Sequence, residues 1–301
     1  MASEQMRTDV LEPGGAAALR SRRRFRPLYL ARRHKLAAFA VVILAMMIII
    51  AIFAPVLTPH DPAEADGRIR LESPSLTHPF GTDGFGRDVM TRVFYGARIS
   101  LQVGGIAVLV AVFIGVPLGL VSGYAGGFTD AFIMRLVDAV LAFPGLLLAL
   151  ALVLALGPSI FNLMLALGIG VAPVYARLVR SQVLSLKERD FVLAARASGA
   201  TDARIMFGHV LPNTYSSIIV ASTLTMGVAI LTEATLSFLG LGVRPPTPTW
   251  GGMLNEAGDL IYQSPYLMFF PGVAIFLATL SLNLLGDGLR DALDPNLRNR
   301  V

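Results

Sequence analysis

The chain has 301 residues, 54% of them hydrophobic and only 15% charged, with a mean hydropathy of +0.66. This balance is foreign to a water-solvated domain, and several bilayer crossings of roughly 20 apolar residues each would leave little chain for a separate soluble unit. A net charge of +5 and a pI of 9.9 would suggest nucleic acid in a soluble protein, but nine of the 25 basic residues fall within the first 36, which points instead to the positive-inside rule and to no nucleic-acid partner.

Residues 1–36, with Arg22, Arg23, Arg24, Arg26, Arg32, Arg33 and Lys35, read as a cytoplasmic tail. The run at 37–57 follows, and its 21 residues exceed the 7–15 of a signal-peptide core, so it is expected to stay as the first span. Five further apolar runs lie near 101–122, 131–156, 161–179, 215–238 and 266–285. The fold class expected is therefore an all-α polytopic membrane protein with six transmembrane helices. Residues 58–98 would form an extracytoplasmic loop, 99–288 the transmembrane core, and 289–301 a cytoplasmic C-terminal tail.

Within the first outer loop, His60-Asp61-Pro62 and His78-Pro79-Phe80-Gly81-Thr82-Asp83 are dense in turn formers and predict a compact, ordered, irregular fold. Neither histidine has the paired His or Cys spacing of a zinc site, so turn and surface roles are expected and no metal is assigned. Cysteine is absent, which removes disulfide, thiol-nucleophile and Cys-based metal chemistry.

The second run carries Ala107, Ala111, Gly115, Gly119, Gly123 and Gly127 at every fourth position. Small stripes of this kind let membrane helices approach closely, and a step of four drifts around a 3.6-residue helix, so a short crossing is expected. Charged residues at membrane depth should face protein or water. Arg135 and Asp138 are three apart and are expected to pair with one another, whereas Glu233 has no local partner and is expected to bond another helix.

Between the fourth and fifth runs lies Asp190-Phe191-Val192-Leu193-Ala194-Ala195-Arg196-Ala197-Ser198-Gly199-Ala200-Thr201-Asp202, which continues through Arg204 and His209 to Pro212. An alanine-rich helix, a glycine suited to positive φ, a Thr201 able to cap and a proline before the next run predict two short helices set at an angle. His209 is expected to hydrogen-bond at the end of the second.

This segment resembles the coupling loop, or EAA motif, of permease subunits of ABC importers: Ala194 and Ala195 match its alanine pair, Gly199 its glycine and Leu211-Pro212 its close. Leu193 replaces the usual acid, His209 a branched aliphatic and Gly208 a basic residue. The Ala-Ala-Arg-Ala-x-Gly-Ala form is similar to the branch for dipeptides, oligopeptides and nickel. That branch is also resembled by His78 to Asp88, by Ser237 to Gly242 with Pro245 to Gly251, and by Gly286 to Pro295, over residues 78–295 in all.

The resemblance is strongest for the C-type subunit and implies a type I importer permease fold in a bacterial cytoplasmic membrane, with both termini cytoplasmic. It implies a B-type permease partner, two ATPases, an extracytoplasmic binding protein and contact with membrane lipid, with coupling through Ala194, Ala195, Arg196, Gly199, Asp202, Arg204, His209 and Pro212 at residues 190–212. Only Lys35 and Lys187 are lysines and neither follows glycine, so no phosphate loop is present. The chain is accordingly expected to be a transport subunit with no cofactor of its own, ATP and Mg being bound by the partner ATPases. A small peptide is the first substrate choice, and nickel chelates or other solutes are the alternatives. A proton-coupled secondary transporter would want inverted repeats and several buried acids, neither of which is evident. Serine, aspartyl and metal signatures of an intramembrane hydrolase are missing too.

Overall fold

The computed structural model of the chain describes residues 35–157 and 159–293. The basic stretch before Lys35 and the Asp294-Pro295 ending lie outside the described residues. Helix α1 is Lys35–Leu57, α2 Val89–Ala125, α3 Gly127–Leu141, α4 Gly145–Leu156 and α5 Ile160–Leu186. After them come α6, Asp190–Ala197, α7, Asp202–Phe238, α8, Trp250–Ala257, and α9, Tyr266–Leu293. No strand occurs among the described residues.

Five of these helices are long and apolar enough to cross a bilayer, and a sixth crossing requires α3 and α4 to be taken together. The run at 131–156, expected as one span, is bent by 90° between them. Pro144 disfavours helical geometry at Phe143 and sits in extended backbone itself, so the first arm ends at Leu141 and α4 begins afresh at Gly145.

Helix α2 starts twelve residues ahead of its apolar run because Asp88 caps it, accepting hydrogen bonds from the Thr91 backbone N–H and hydroxyl, both at 2.7 Å. At 37 residues it is about 55 Å long, well beyond a bilayer core, so its first turns stand outside the membrane.

The small-residue stripe forms a long seam with α5 and not the short crossing its drift suggested. A Cβ at Gly115 would lie 2.3 Å from the Ala172 carbonyl, one at Gly119 2.3 Å from that of Ala176, and one at Gly123 2.8 Å from Val183 Cβ. The reason is a second stripe. Gly168, Ala172 and Ala176 step by four along α5, so both rows drift in the same sense and stay in register. Gly127 is not in the seam: α2 ends at Ala125, and Gly126 and Gly127 turn the chain with φ of 68° and 53°.

Around this pair, α7 and α9 pack on α2, and α1 lies at the edge with Ala40, Ile43, Met47, Ala51 and Ala54 turned inward. The remaining faces of α1 expose Val42, Ile49, Ile52 and Phe53, as befits a helix solvated by lipid.

Candidate functional site

Asp190 opens α6 in an acidic first turn, and the helix stops at Ala197 because Gly199 takes φ 79°, a left-handed value that costs a side-chain-bearing residue strain. Thr201 then caps the next helix, accepting the Arg204 N–H at 3.4 Å. Val192, Ile205 and Val210 are buried against Leu120, Val179 and Val183, so the elbow is seated on the C-terminal ends of α2 and α5. Ala194, Ala197, Gly199 and Arg204 are exposed.

The second arm differs from the expected short helix. It continues without a break into the spanning part of α7, through a wider turn at Met206–Val210 in which the Leu211 N–H bonds the Met206 carbonyl. Pro212 demands this, because its ring would clash with the carbonyl four residues back, at Gly208, and it has no N–H to give. His209 therefore sits inside a continuous helix and not at a helix end; its carbonyl accepts a 2.6 Å bond from Asn213.

Three large apolar side chains on the elbow remain exposed: Phe191, Leu193 and Phe207. Leu193 stands out in the sequence as the residue replacing an acid. Phe191 and Phe207 carry no signal there, since only the bend shows that they remain uncovered.

Charged groups lock the elbow to the bundle. The Tyr124 hydroxyl donates to Asp202 at 2.6 Å and receives Arg196 at 3.4 Å. Nearby, Arg180 makes two hydrogen bonds to Asp130, at 2.6 and 2.5 Å, and Ser122 adds a third. These bonds, Arg180's foremost, tie α3 to α5 and to the end of α2. Asp138 does not pair with Arg135: it takes Arg177 of α5 at 2.6 Å, because the bend swings α3 across that helix.

Glu233 is fully buried in α7 and accepts Ser100 of α2 at 3.1 Å and Ser237, one turn on, at 2.7 Å. It thus makes an interhelical bond.

At the opposite end, the loop at 58–88 and α8 form an ordered layer. Arg87 bonds Asp83 and Glu256, each at 2.6 Å, while Arg92 reaches Glu256 at 3.0 Å and the Pro62 carbonyl at 3.1 Å. Burial lowers the Arg92 pKa, with Glu256 opposing. Trp250, fully buried over Gly96, donates to the Val93 carbonyl at 3.0 Å and fastens α8 to α2. His60 and His78, eighteen positions apart in sequence, stack with ring centroids 5.1 Å apart.

Comparison with known proteins agrees with this arrangement. Residues 115–299 match the family described as binding-protein-dependent transport system inner membrane component, and residues 28–74 match the N-terminal transmembrane domain of oligopeptide transport permease C. The chain is 49% identical over 268 residues to the dipeptide transport system permease protein DppC of Alkalihalophilus pseudofirmus, covering 89% of this chain and 88% of that one. It is 52% identical, with the same coverage, to the glutathione transport system permease protein GsiD of Salmonella paratyphi A. A chain of the MetNI methionine ABC transporter superposes with a TM-score of 0.56 at 19% identity, over 68% of this chain and 98% of that one, a likeness of fold.

Proposed function

This chain belongs to the family of binding-protein-dependent transport system inner membrane components, and from that premise we propose that it is the C-type permease of an ATP-driven importer of small peptides. The observation that carries the mechanical part is the elbow. Its second arm is one rigid body with a spanning helix, so a push on residues 190–205 by a soluble partner is delivered directly into α7. Phe191, Leu193 and Phe207 give that partner an apolar hold, and α6, hinged at Gly199, gives it a second lever on α5.

Two ATPases would occupy this face, a B-type permease would complete the path, and an extracytoplasmic binding protein would dock on the layer built by residues 58–88 and α8. ATP and Mg belong to the ATPases, and the N- and C-termini lie with them on the cytoplasmic side. The dipeptide and glutathione permeases among the relatives support a short peptide as cargo.

The test is uptake of a labelled dipeptide by the complete transporter with its binding protein in proteoliposomes, compared with its Gly199→Asp variant. An added Cβ meets nothing within 4 Å there, so within this chain the substitution strains the positive-φ turn without a steric clash at Cβ. The expected result is intact assembly with uptake abolished. Normal uptake by the variant overturns the coupling role, and accumulation by this chain alone on an ion gradient overturns the importer reading.

A further inference from the structure

Three side chains far apart in sequence converge on the extracytoplasmic side: His60, three residues beyond the end of α1, His78 in the following turn, and Asp88 at the start of α2. One ring nitrogen from each histidine and one oxygen of Asp88 lie within 4.8 Å of one another. The geometry points to a binding site for a divalent transition-metal ion of the zinc class, held by His60, His78 and Asp88, that clamps the first outer loop to the head of α2.

The site is built and not a chance meeting of exposed groups. Asp88 is nearly buried, and its Oδ2 is fixed by the Thr91 backbone and hydroxyl, so Oδ1 is the oxygen left over. That Oδ1 is 2.9 Å from His78 Nδ1. The backbone of His78 is pinned on both sides, its N–H donating to Ser75 Oγ at 3.0 Å and its carbonyl accepting from Ser75 at 2.9 Å and Gly81 at 2.8 Å. His60 is the movable member and stacks on His78.

Tetrahedral zinc, with ligands at about 2.0–2.2 Å, needs ligand atoms about 3.3 Å apart. The Asp88 and His78 atoms, 2.9 Å apart, have to open by about 0.4 Å to reach this spacing. The His60 nitrogen, within 4.8 Å of both, has to move in, leaving a fourth position for water. Two imidazoles and one carboxylate suit a borderline ion; calcium and magnesium want all-oxygen shells, and copper(I) wants sulfur.

The experiment uses the intact transporter in nanodiscs, free of any polyhistidine tag and of nucleotide, titrated with Zn2+ alone against a chromophoric chelator. The variant is His60→Phe, which preserves the ring stack and lacks a ligand atom. A rescue is His60→Cys, since a thiolate also binds zinc. The wild type should hold one more tight Zn2+ than His60→Phe. Affinity at that site should fall by at least about 100-fold in His60→Phe, because losing a group merely behind a ligand costs roughly 10- to 100-fold. The Cys variant should recover binding, and Co2+ should give a tetrahedral visible spectrum in the wild type and the Cys variant but not in His60→Phe. Equal melting of wild type and His60→Phe in chelator shows that the stack survives; if they differ, the comparison passes to His60→Cys against His60→Ser. Identical Zn2+ stoichiometry and affinity in wild type and ligand-free variant overturns the site and leaves the histidines as a packed pair.

Discussion

The Tyr124 hydroxyl, at the C-terminal end of α2, donates a 2.6 Å hydrogen bond to the carboxylate of Asp202, the residue that opens α7. Helix α2 also carries the seam with α5 and, at its other end, Arg92. This contact therefore joins the elbow to a helix that runs the full thickness of the protein, so movement of the elbow need not pass through α7 alone.

Tyr124→Phe tests this link. The ring still packs, and only the hydroxyl is lost, at a cost of about 1 kcal/mol or less for a partly exposed bond. Dipeptide uptake per ATP hydrolysed should fall roughly two- to fivefold, the scale of coupling carried by single contacts along a mechanical route. An unchanged ratio in proteoliposomes would leave transmission to α7 and α5.

The apolar runs made the helices legible, because a bilayer demands continuous hydrophobic length and leaves few other readings. The elbow was legible from Gly199, Thr201 and its alanines. What sequence reasoning missed depends on where helices go after they bend. Asp138 finds Arg177 because of the break at Phe143-Pro144, a signal present in the sequence but masked by the apolar run around it. The second arm's continuity depends on the wide turn before Pro212, where proline reads as a stop. The meeting of His60, His78 and Asp88 is set by the folding of a loop whose spacing follows no periodic rule.

The α2–α5 seam predicts a sharp contrast between glycines. A Cβ at Gly115 would sit 2.3 Å from the Ala172 carbonyl and 2.7 Å from Tyr175 Cβ, so Gly115→Ala must push two backbones apart. It should lower stability by about 1–3 kcal/mol. At Gly170, in the same partner helix, the nearest atom would be Leu148 Cδ2 at 3.9 Å, and Gly170→Ala should be neutral or gain up to about 1 kcal/mol from helix propensity. Thermal unfolding of the two variants in the assembled transporter measures both; equal effects would mean the seam is looser than its geometry states.

Glu233 supplies the remaining prediction. It is fully buried, accepts one bond across the α2–α7 interface and one within α7, and has no ion-pair partner among the described residues. Glu233→Gln keeps an oxygen for one serine and offers its amide to the other, so both contacts survive with one reversed in direction. Glu233→Leu leaves the Ser100 and Ser237 hydroxyls facing an apolar side chain, at about 1–3 kcal/mol for unsatisfied buried groups, although each serine can partly turn back to its own helix. The Gln variant should assemble and transport at a rate close to the wild type, while the Leu variant should give less assembled complex on size-exclusion chromatography. If the Gln variant instead assembles fully but transports nothing, the carboxylate acts on the cargo or on a proton, and its structural role is secondary. If the Leu variant transports at the wild-type rate, the interhelical bond contributes nothing to function.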